Sequence, residues 1–160
     1  MTAPARPMIA TLIDEAVILD AEAPTKEGFL DAMLDAMVAA GRVQTADRAG
    51  IGKQLREREA LGSTGIGNGI AVPHVKSGKI DQICLALARS GDGIDYQAID
   101  GLPVHTVFLI LAPVDQAESH LQALRWISSL ARNGDFRRFV QSAGGEAEVR
   151  DLLREMSPSA

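Results

Sequence analysis

Residues 104–112 read VHTVFLILA, a run that is apolar at almost every position. A strand with one face in water alternates apolar and polar residues, whereas a strand covered on both faces is apolar throughout. The run is also far shorter than the roughly 20 residues needed to cross a lipid bilayer. We therefore predict a central strand in a sheet that is covered on both sides, and no insertion into a membrane.

Strand and helix patterns alternate along the rest of the chain. Shorter strands are predicted at 15–21, 69–74 and 82–89, the second of them ended by Pro73. Helices are predicted at 25–41, 45–62, 115–134, 135–143 and 146–156. Helices that precede, separate and follow strands predict an α/β fold, a three-layer α/β/α sandwich with a mixed central β-sheet. We expect a single domain over residues 1–160, with a core from about 9 to 156 and frayed tails at the first seven and last four residues.

The pattern at 115–134 is the clearest helix of the C-terminal half. Asp115 and Glu118 have the spacing of a capping box, which would start the helix. Apolar residues at helical spacing predict the stripe that packs on the sheet, namely Leu121, Leu124, Ile127 and Leu130. His120 lies beside this stripe near the helix N-terminus, where it points either into a cleft or into water.

Composition and charge exclude several classes of protein. Hydrophobic residues make up 46% and charged residues 23% of the chain, which excludes general disorder. The net charge is −5 and no basic block is present, so binding of nucleic acid is not expected. The N-terminus lacks the apolar segment of a secretory signal. A single cysteine, Cys84, can form no internal disulfide, which fits a reducing compartment, and we expect a cytoplasmic protein.

Residues 61–78, LGSTGIGNGIAVPHVKSG, gather glycines in front of His74. Glycine is favoured where φ is positive or where a backbone approaches another group closely, so we predict a shaped loop that presents His74. The loop is not a nucleotide P-loop, because Asn68 and Gly69 stand where lysine and serine or threonine are required. It is not a dinucleotide fingerprint either, since it leads into a strand. Backbone N–H groups and the hydroxyls of Ser63 and Thr64 could still hold an anion.

The chain has three histidines, and an imidazole near neutral pH can accept a phosphoryl or acyl group. His105 opens an apolar strand and is interpreted as a structural residue. A metal site built from His74, His120 and Cys84 lacks the spacing of known ligand motifs, so no metal is predicted. A serine hydrolase is not expected, because the G-x-S-x-G elbow is absent.

Residues 56–74, REREALGSTGIGNGIAVPH, closely resemble the active-site segment of a bacterial protein family. The family comprises the fructose, mannitol and nitrogen-regulatory (PtsN-like) enzyme IIA proteins of the phosphoenolpyruvate-dependent phosphotransferase system. The resemblance runs from about Ile9 to about Met156, with YQAIDGLPV and LAPVDQAESHLQALRWISSLA in their expected order.

The resemblance implies a role for each matching residue. His74 matches the phosphorylated histidine of the family, Arg58 an arginine near the phosphoryl group, and His120 the second histidine, which faces the first across the cleft. The residues that match the phosphate-binding loop are Ser63, Thr64 and Gly65. Val75 stands where the family commonly has glycine, and because a β-branched residue resists positive φ, we expect a local difference there.

The resemblance also implies a function. The chain is expected to be a phosphotransferase component, a carrier that accepts a phosphoryl group from phosphorylated HPr, or its nitrogen-type paralogue, on His74. No cofactor is needed, because the donor is already a phosphohistidine. The segment STGIGNGIAVPH favours a nitrogen-type regulatory enzyme IIA that binds target proteins. The alternatives are a sugar-specific enzyme IIA that passes the phosphoryl group to an enzyme IIB, and a non-catalytic anion- or protein-binding regulatory module.

Overall fold

The computed structural model describes the backbone of residues 5–158 and the side chains of residues 8–158. In this part of the chain the helices are α1 (Ala5–Asp14), α2 (Lys26–Ala39), α3 (Arg48–Leu61), α4 (Ala117–Ala131), α5 (Gly134–Ser142) and α6 (Glu146–Glu155). The strands are β1 (Val17–Asp20), β2 (Gly65–Gly67), β3 (Ile70–Ala71), β4 (His74–Lys76), β5 (Cys84–Ile94) and β6 (Val104–Ala112), and a short 3₁₀ helix covers Thr45–Asp47. None of the described helices is long and apolar enough to cross a membrane.

Strand β6 lies in the interior of a mixed sheet, as the apolar run predicts. It pairs antiparallel with β5 and parallel with both β3 and β4. Strand β1 adds parallel to the far side of β5, and β2 adds antiparallel to β3. The order is therefore β1-β5-β6-β3-β2, with β4 farther along the same side of β6.

Helices cover both faces of the sheet, which confirms the three-layer α/β/α sandwich. Successive residues of β6 enter opposite cores, for example Leu109 on one face and Ile110 on the other. Helices α2 and α3 cover the first face, and α1, α4, α5 and α6 cover the second. The side chains of β6 from Val107 to Ala112 are 0% exposed, so this strand loses nearly all contact with water on folding.

Several predicted boundaries differ from the structure. The strand predicted at 82–89 continues to Ile94. Helix α1 begins at Ala5, so the last part of the expected N-terminal tail is helical, while residues 1–4 and 159–160 lie outside the described residues. The strand predicted to end at Pro73 resumes at His74 in the same register against β6. Pro73 has no N–H to donate, but its carbonyl accepts a hydrogen bond of 3.0 Å from the Ile110 N–H.

The start and the buried face of α4 also differ from the prediction. The helix begins at Ala117 after Gln116, which makes no side-chain cap, so the capping box of Asp115 and Glu118 is wrong. Leu121 is 42% exposed, whereas His120 is 3% exposed. The buried face therefore begins one residue earlier than the apolar pattern indicates, and a histidine occupies the first position of this face.

Candidate functional site

The glycine-rich segment is a tight β-hairpin rather than an open loop. Gly67 pairs with Ile70, which leaves Asn68 and Gly69 as a two-residue turn. Both turn residues have positive φ, 59° and 77°, as the type I′ turn favoured by an Asn-Gly pair requires. Gly65 serves another purpose, because a Cβ there would lie 2.8 Å from Cα of Ala98. The Asn-Gly pair is the sequence signal for this hairpin, which was not among the predicted elements.

His74 is the first residue of β4, and its half-buried ring has a defined tautomer. Nδ1 lies 2.9 Å from the carbonyl oxygen of Val72. A carbonyl oxygen can only accept, so Nδ1 carries the proton of the neutral ring. Nε2 consequently keeps its lone pair, and it is the nucleophilic atom of His74. The next residue, Val75, is extended and buried within β4, so the position after His74 needs no positive φ in this chain.

His120 lies directly against His74, as expected for a second histidine of the cleft. The two ring centroids are 5.3 Å apart, and the ring planes meet at 76°. Among the described residues, neither ring nitrogen of His120 has a hydrogen-bond partner. A buried polar group without a partner has lost its hydration and gains no hydrogen bond in return, so it calls for an explanation, such as a catalytic role.

The electrostatic surroundings keep His120 neutral. Burial is the main cause that lowers its pKa from 6.5 to about 4, and electrostatic repulsion by His74 in its protonated form and by Lys76 lowers it further. Lys76 lies two residues after His74 on β4, so both side chains emerge on the face of the sheet where α4 packs. At neutral pH His120 is therefore an uncharged ring with one N–H to donate and one lone pair to accept.

Arg58, in the last turn of α3, is held close to the hairpin. Its Nη1 donates a hydrogen bond of 2.8 Å to the carbonyl oxygen of Gly62. In the part of the chain that the structure describes, no hydrogen bond or ring contact joins Arg58 to His74. The role of Arg58 at the phosphoryl group thus stays a prediction.

The hydroxyls of the hairpin are bonded to protein groups. The Ser63 hydroxyl donates to the Tyr96 carbonyl at 2.8 Å and accepts from the Gly65 N–H at 3.0 Å. The Thr64 hydroxyl donates to the carboxylate of Glu59. The role of Ser63, Thr64 and Gly65 in phosphate binding stays a prediction.

The ring of His105 uses Nδ1 to bind the carbonyl oxygen of Ser90 at 3.0 Å, which fits its interpretation as a structural residue. Among residues 5–158, no three histidine, cysteine, aspartate or glutamate side chains are grouped so that they could hold a metal ion.

Known proteins resemble this chain along most of its length. Residues 11–156 match the family model described as phosphoenolpyruvate-dependent sugar phosphotransferase system, EIIA 2. The fructose-specific EIIA component of Haloferax volcanii is 38% identical over 142 residues, which is 89% of this chain and 91% of that protein. The fructose-specific EIIABC component of Bacillus subtilis is 34% identical over 90% of this chain, but the chain spans only 22% of that longer protein.

A nitrogen regulatory protein of Bradyrhizobium diazoefficiens is also similar, with 37% identity over 99 residues, 62% of this chain and 65% of that protein. Among solved structures, the nitrogen regulatory protein IIA-Ntr of Neisseria meningitidis superposes with a TM-score of 0.76 at 26% identity, covering 91% of this chain and 99% of that one. The complex of enzyme IIA and phosphorylated enzyme IIB for mannitol from Escherichia coli shares the fold, with a TM-score of 0.71 at 19% identity over 88% of this chain and 95% of that one. This chain belongs to the EIIA 2 family of the phosphoenolpyruvate-dependent sugar phosphotransferase system.

Proposed function

We propose that this phosphoryl carrier accepts its phosphoryl group on Nε2 of His74. The observation that carries the proposal is the hydrogen bond from Nδ1 of His74 to the Val72 carbonyl, because it leaves the lone pair on Nε2. The adjacent His120, buried and without a partner among the described residues, supports it, since a phosphoryl oxygen would supply the acceptor that its N–H lacks.

The transfer is an in-line displacement between two imidazole rings. The lone pair of His74 Nε2 forms the new N–P bond while the N–P bond of the donor breaks and its electron pair returns to the donor ring. The developing charge lies on the three equatorial oxygens, so the protein contributes by position and electrostatics. His120 would donate its N–H to one oxygen, and Arg58 would supply a permanent positive charge at the hairpin.

The partners follow from the same proposal. The donor would be HPr or its nitrogen-type paralogue, each phosphorylated on histidine. Our first choice for the carrier is a nitrogen-type regulatory enzyme IIA with protein targets. The free, buried thiol of Cys84 supports a cytoplasmic location, where thiols stay reduced.

A sugar-specific enzyme IIA is the second candidate. The fructose-specific relative of Haloferax volcanii matches 89% of the chain, against 62% for the nitrogen regulatory relative of Bradyrhizobium diazoefficiens. In the mannitol system an enzyme IIA forms a complex with phosphorylated enzyme IIB. By analogy, the phosphoryl group would pass from His74 to an enzyme IIB.

Phosphorylation in a reconstituted system tests the proposal. The purified chain is incubated with phosphoenolpyruvate, enzyme I and HPr, or with the nitrogen-type pair, and the acid-labile phosphoryl group is followed by intact mass and ³¹P NMR. We expect one phosphoryl group in the wild type, none in His74→Ala and one in the control His105→Ala. Full labelling of His74→Ala would refute the assignment. The donor pair that acts faster, and onward transfer to a IIB domain, separate the two candidates.

A further inference from the structure

A buried ion pair lies behind the hairpin and joins α2 to α3. Nζ of Lys26, the first residue of α2, is 2.7 Å from Oε1 of Glu59 in α3, and the two side chains are 9% and 7% exposed. The same Nζ lies 4.3 Å from the ring centroid of the fully buried Tyr96. Neither the glycine-rich segment nor any spacing in the sequence predicts this pair.

The carboxylate of Glu59 holds Thr64 by two groups at once. Oε1 accepts the Thr64 N–H at 3.1 Å, and Oε2 accepts the Thr64 hydroxyl. The Thr64 hydroxyl donates its proton to Glu59, so in its contact of 3.1 Å with the Tyr96 hydroxyl it can only accept. The Tyr96 hydroxyl is therefore the donor in that contact. Thr64 is 4% exposed, so water does not compete for these bonds.

Thr64 in turn holds the backbone of Val72, the residue whose carbonyl binds His74. Its carbonyl oxygen accepts the Val72 N–H at 3.0 Å. The Val72 carbonyl oxygen then accepts the Nδ1 proton of His74 at 2.9 Å. Val72 lies between β3 and β4, where the strand is interrupted. Its N–H belongs to the peptide with Ala71 and its carbonyl to the peptide with Pro73, so the bond to Thr64 acts on the carbonyl through the backbone of Val72.

We propose that Lys26, Glu59 and Thr64 are positioning residues of phosphoryl transfer. Through Val72 they hold His74 in the Nδ1–H tautomer, with Nε2 free to attack. The proposal rests on the proposed function of His74. Stability alone does not account for the ion pair, since apolar residues of similar volume often stabilise a core as well as a buried pair does.

Two variants test the proposal without removing His74. Thr64→Val keeps the shape and the backbone groups of the residue but removes its hydroxyl, and Thr64→Ser restores the hydroxyl. The double variant Lys26→Met, Glu59→Gln keeps most of the bulk and removes both charges together, so that neither charge is left unpaired in the interior. Val149→Ala is the control, because this fully buried side chain on α6 packs in the other layer and takes no part in the chain of bonds.

The first readout is the tautomer of His74 in the free protein, measured by ¹⁵N NMR at about pH 9, where imidazoles are neutral. The wild type and Thr64→Ser should show a protonated Nδ1, and Thr64→Val and the double variant should show a mixture of tautomers. A hydroxyl that only bound phosphate would leave this spectrum unchanged. The control Val149→Ala should lower Tm and keep the wild-type spectrum.

The second readout is the rate of phosphorylation from the phosphorylated donor. We expect kcat to fall by about 10- to 100-fold in Thr64→Val and in the double variant, with KM for the donor protein little changed, as misplacement of a reacting atom predicts. The positioning role would be overturned if both variants kept the wild-type tautomer and rate. It would also be overturned if a variant with the same Tm as Val149→Ala lost no more rate than that control does. If the wild type itself accepts no phosphoryl group, the proposed function fails, and the tautomer spectra still decide the positioning role.

Discussion

Replacing His120 by leucine should make the protein more stable at neutral pH. Both ring nitrogens of His120 are buried, and neither has a hydrogen-bond partner among the described residues. A buried polar group left unpaired costs about 1–3 kcal/mol, and leucine carries no such group. His120→Leu should therefore raise the free energy of unfolding at pH 7 by about 1–3 kcal/mol, whereas most substitutions of buried residues lower it.

The same substitution should remove part of the loss in unfolding free energy that the wild type shows at acid pH. Folding lowers the pKa of His120 from 6.5 to about 4, so between these pH values the unfolded state binds a proton that the folded state does not. The folded state therefore has its full stability above pH 6.5 and loses stability as the pH falls towards 4, because the unfolded state gains from binding the proton. At about 1.4 kcal/mol for each pH unit, the loss reaches about 3 kcal/mol near pH 4. The leucine variant lacks this component.

Urea unfolding of both proteins at several pH values between 7.5 and about 4 measures the effect. At each pH the unfolding free energy of the wild type is subtracted from that of His120→Leu, so that the titration of all groups that the two proteins share cancels. His105→Gln removes a histidine that is not in contact with His74 or His120, and its unfolding free energy should depend on pH as that of the wild type does. If His120→Leu is less stable at pH 7 and its pH profile runs parallel to that of the wild type, then the ring is a satisfied core residue and the argument is wrong. Phosphoryl transfer to the leucine variant should be slower, because a donor to the transferred group is lost.

Three further outcomes follow from the geometry. Phosphorylation of His74 should raise the pKa of His120 above its free value of about 4, which histidine NMR titration of both forms would show; an unchanged curve would contradict the contact. Gly65→Ala should cost about 1–3 kcal/mol in urea unfolding, because its Cβ would meet the backbone of Ala98 at 2.8 Å; an unchanged midpoint would contradict this packing. Burial raises the pKa of the Cys84 thiol to about 12, so the folded protein should react with a thiol reagent far more slowly than the protein in urea.

The sequence predicts the layers of this fold well, because they follow from local patterns. The apolar run at β6 indicates a strand covered on both faces, and the structure confirms this. The start of α4 fails for a physical reason. A search for an apolar stripe passes over His120 because it is polar, yet tertiary packing buries it and leaves Leu121 exposed. A buried polar residue is the case in which hydrophobic periodicity gives the wrong face.

Some features of the candidate site could be predicted from local sequence, and others depend on tertiary packing. His74 could be found because glycines and a proline precede it in one continuous segment. The ion pair joins Lys26 and Glu59, which lie 33 positions apart in the chain. The bonds of Tyr96 reach hairpin residues at least 32 positions away. No local pattern links such residues, since their contact is set by how α2 and α3 pack on the sheet. The hairpin itself was predictable, because Asn68-Gly69 is a strong local signal for a two-residue turn.

The neutral state of His120 suits a carrier, which must give up the group that it accepts. Interactions that hold a bound group as tightly as the transition state deepen the bound state and do not speed its transfer. A second permanent charge against His74, added to the one proposed for Arg58, would hold a phosphoryl dianion more strongly, whereas an uncharged N–H donates one hydrogen bond at lower cost to release. Burial keeps His120 uncharged at neutral pH, because it lowers the pKa of the ring to about 4. In the proposed function, the nucleophile His74 is therefore paired with a donor, His120, that has no hydrogen-bond partner among the described residues and stays neutral until the phosphoryl group arrives.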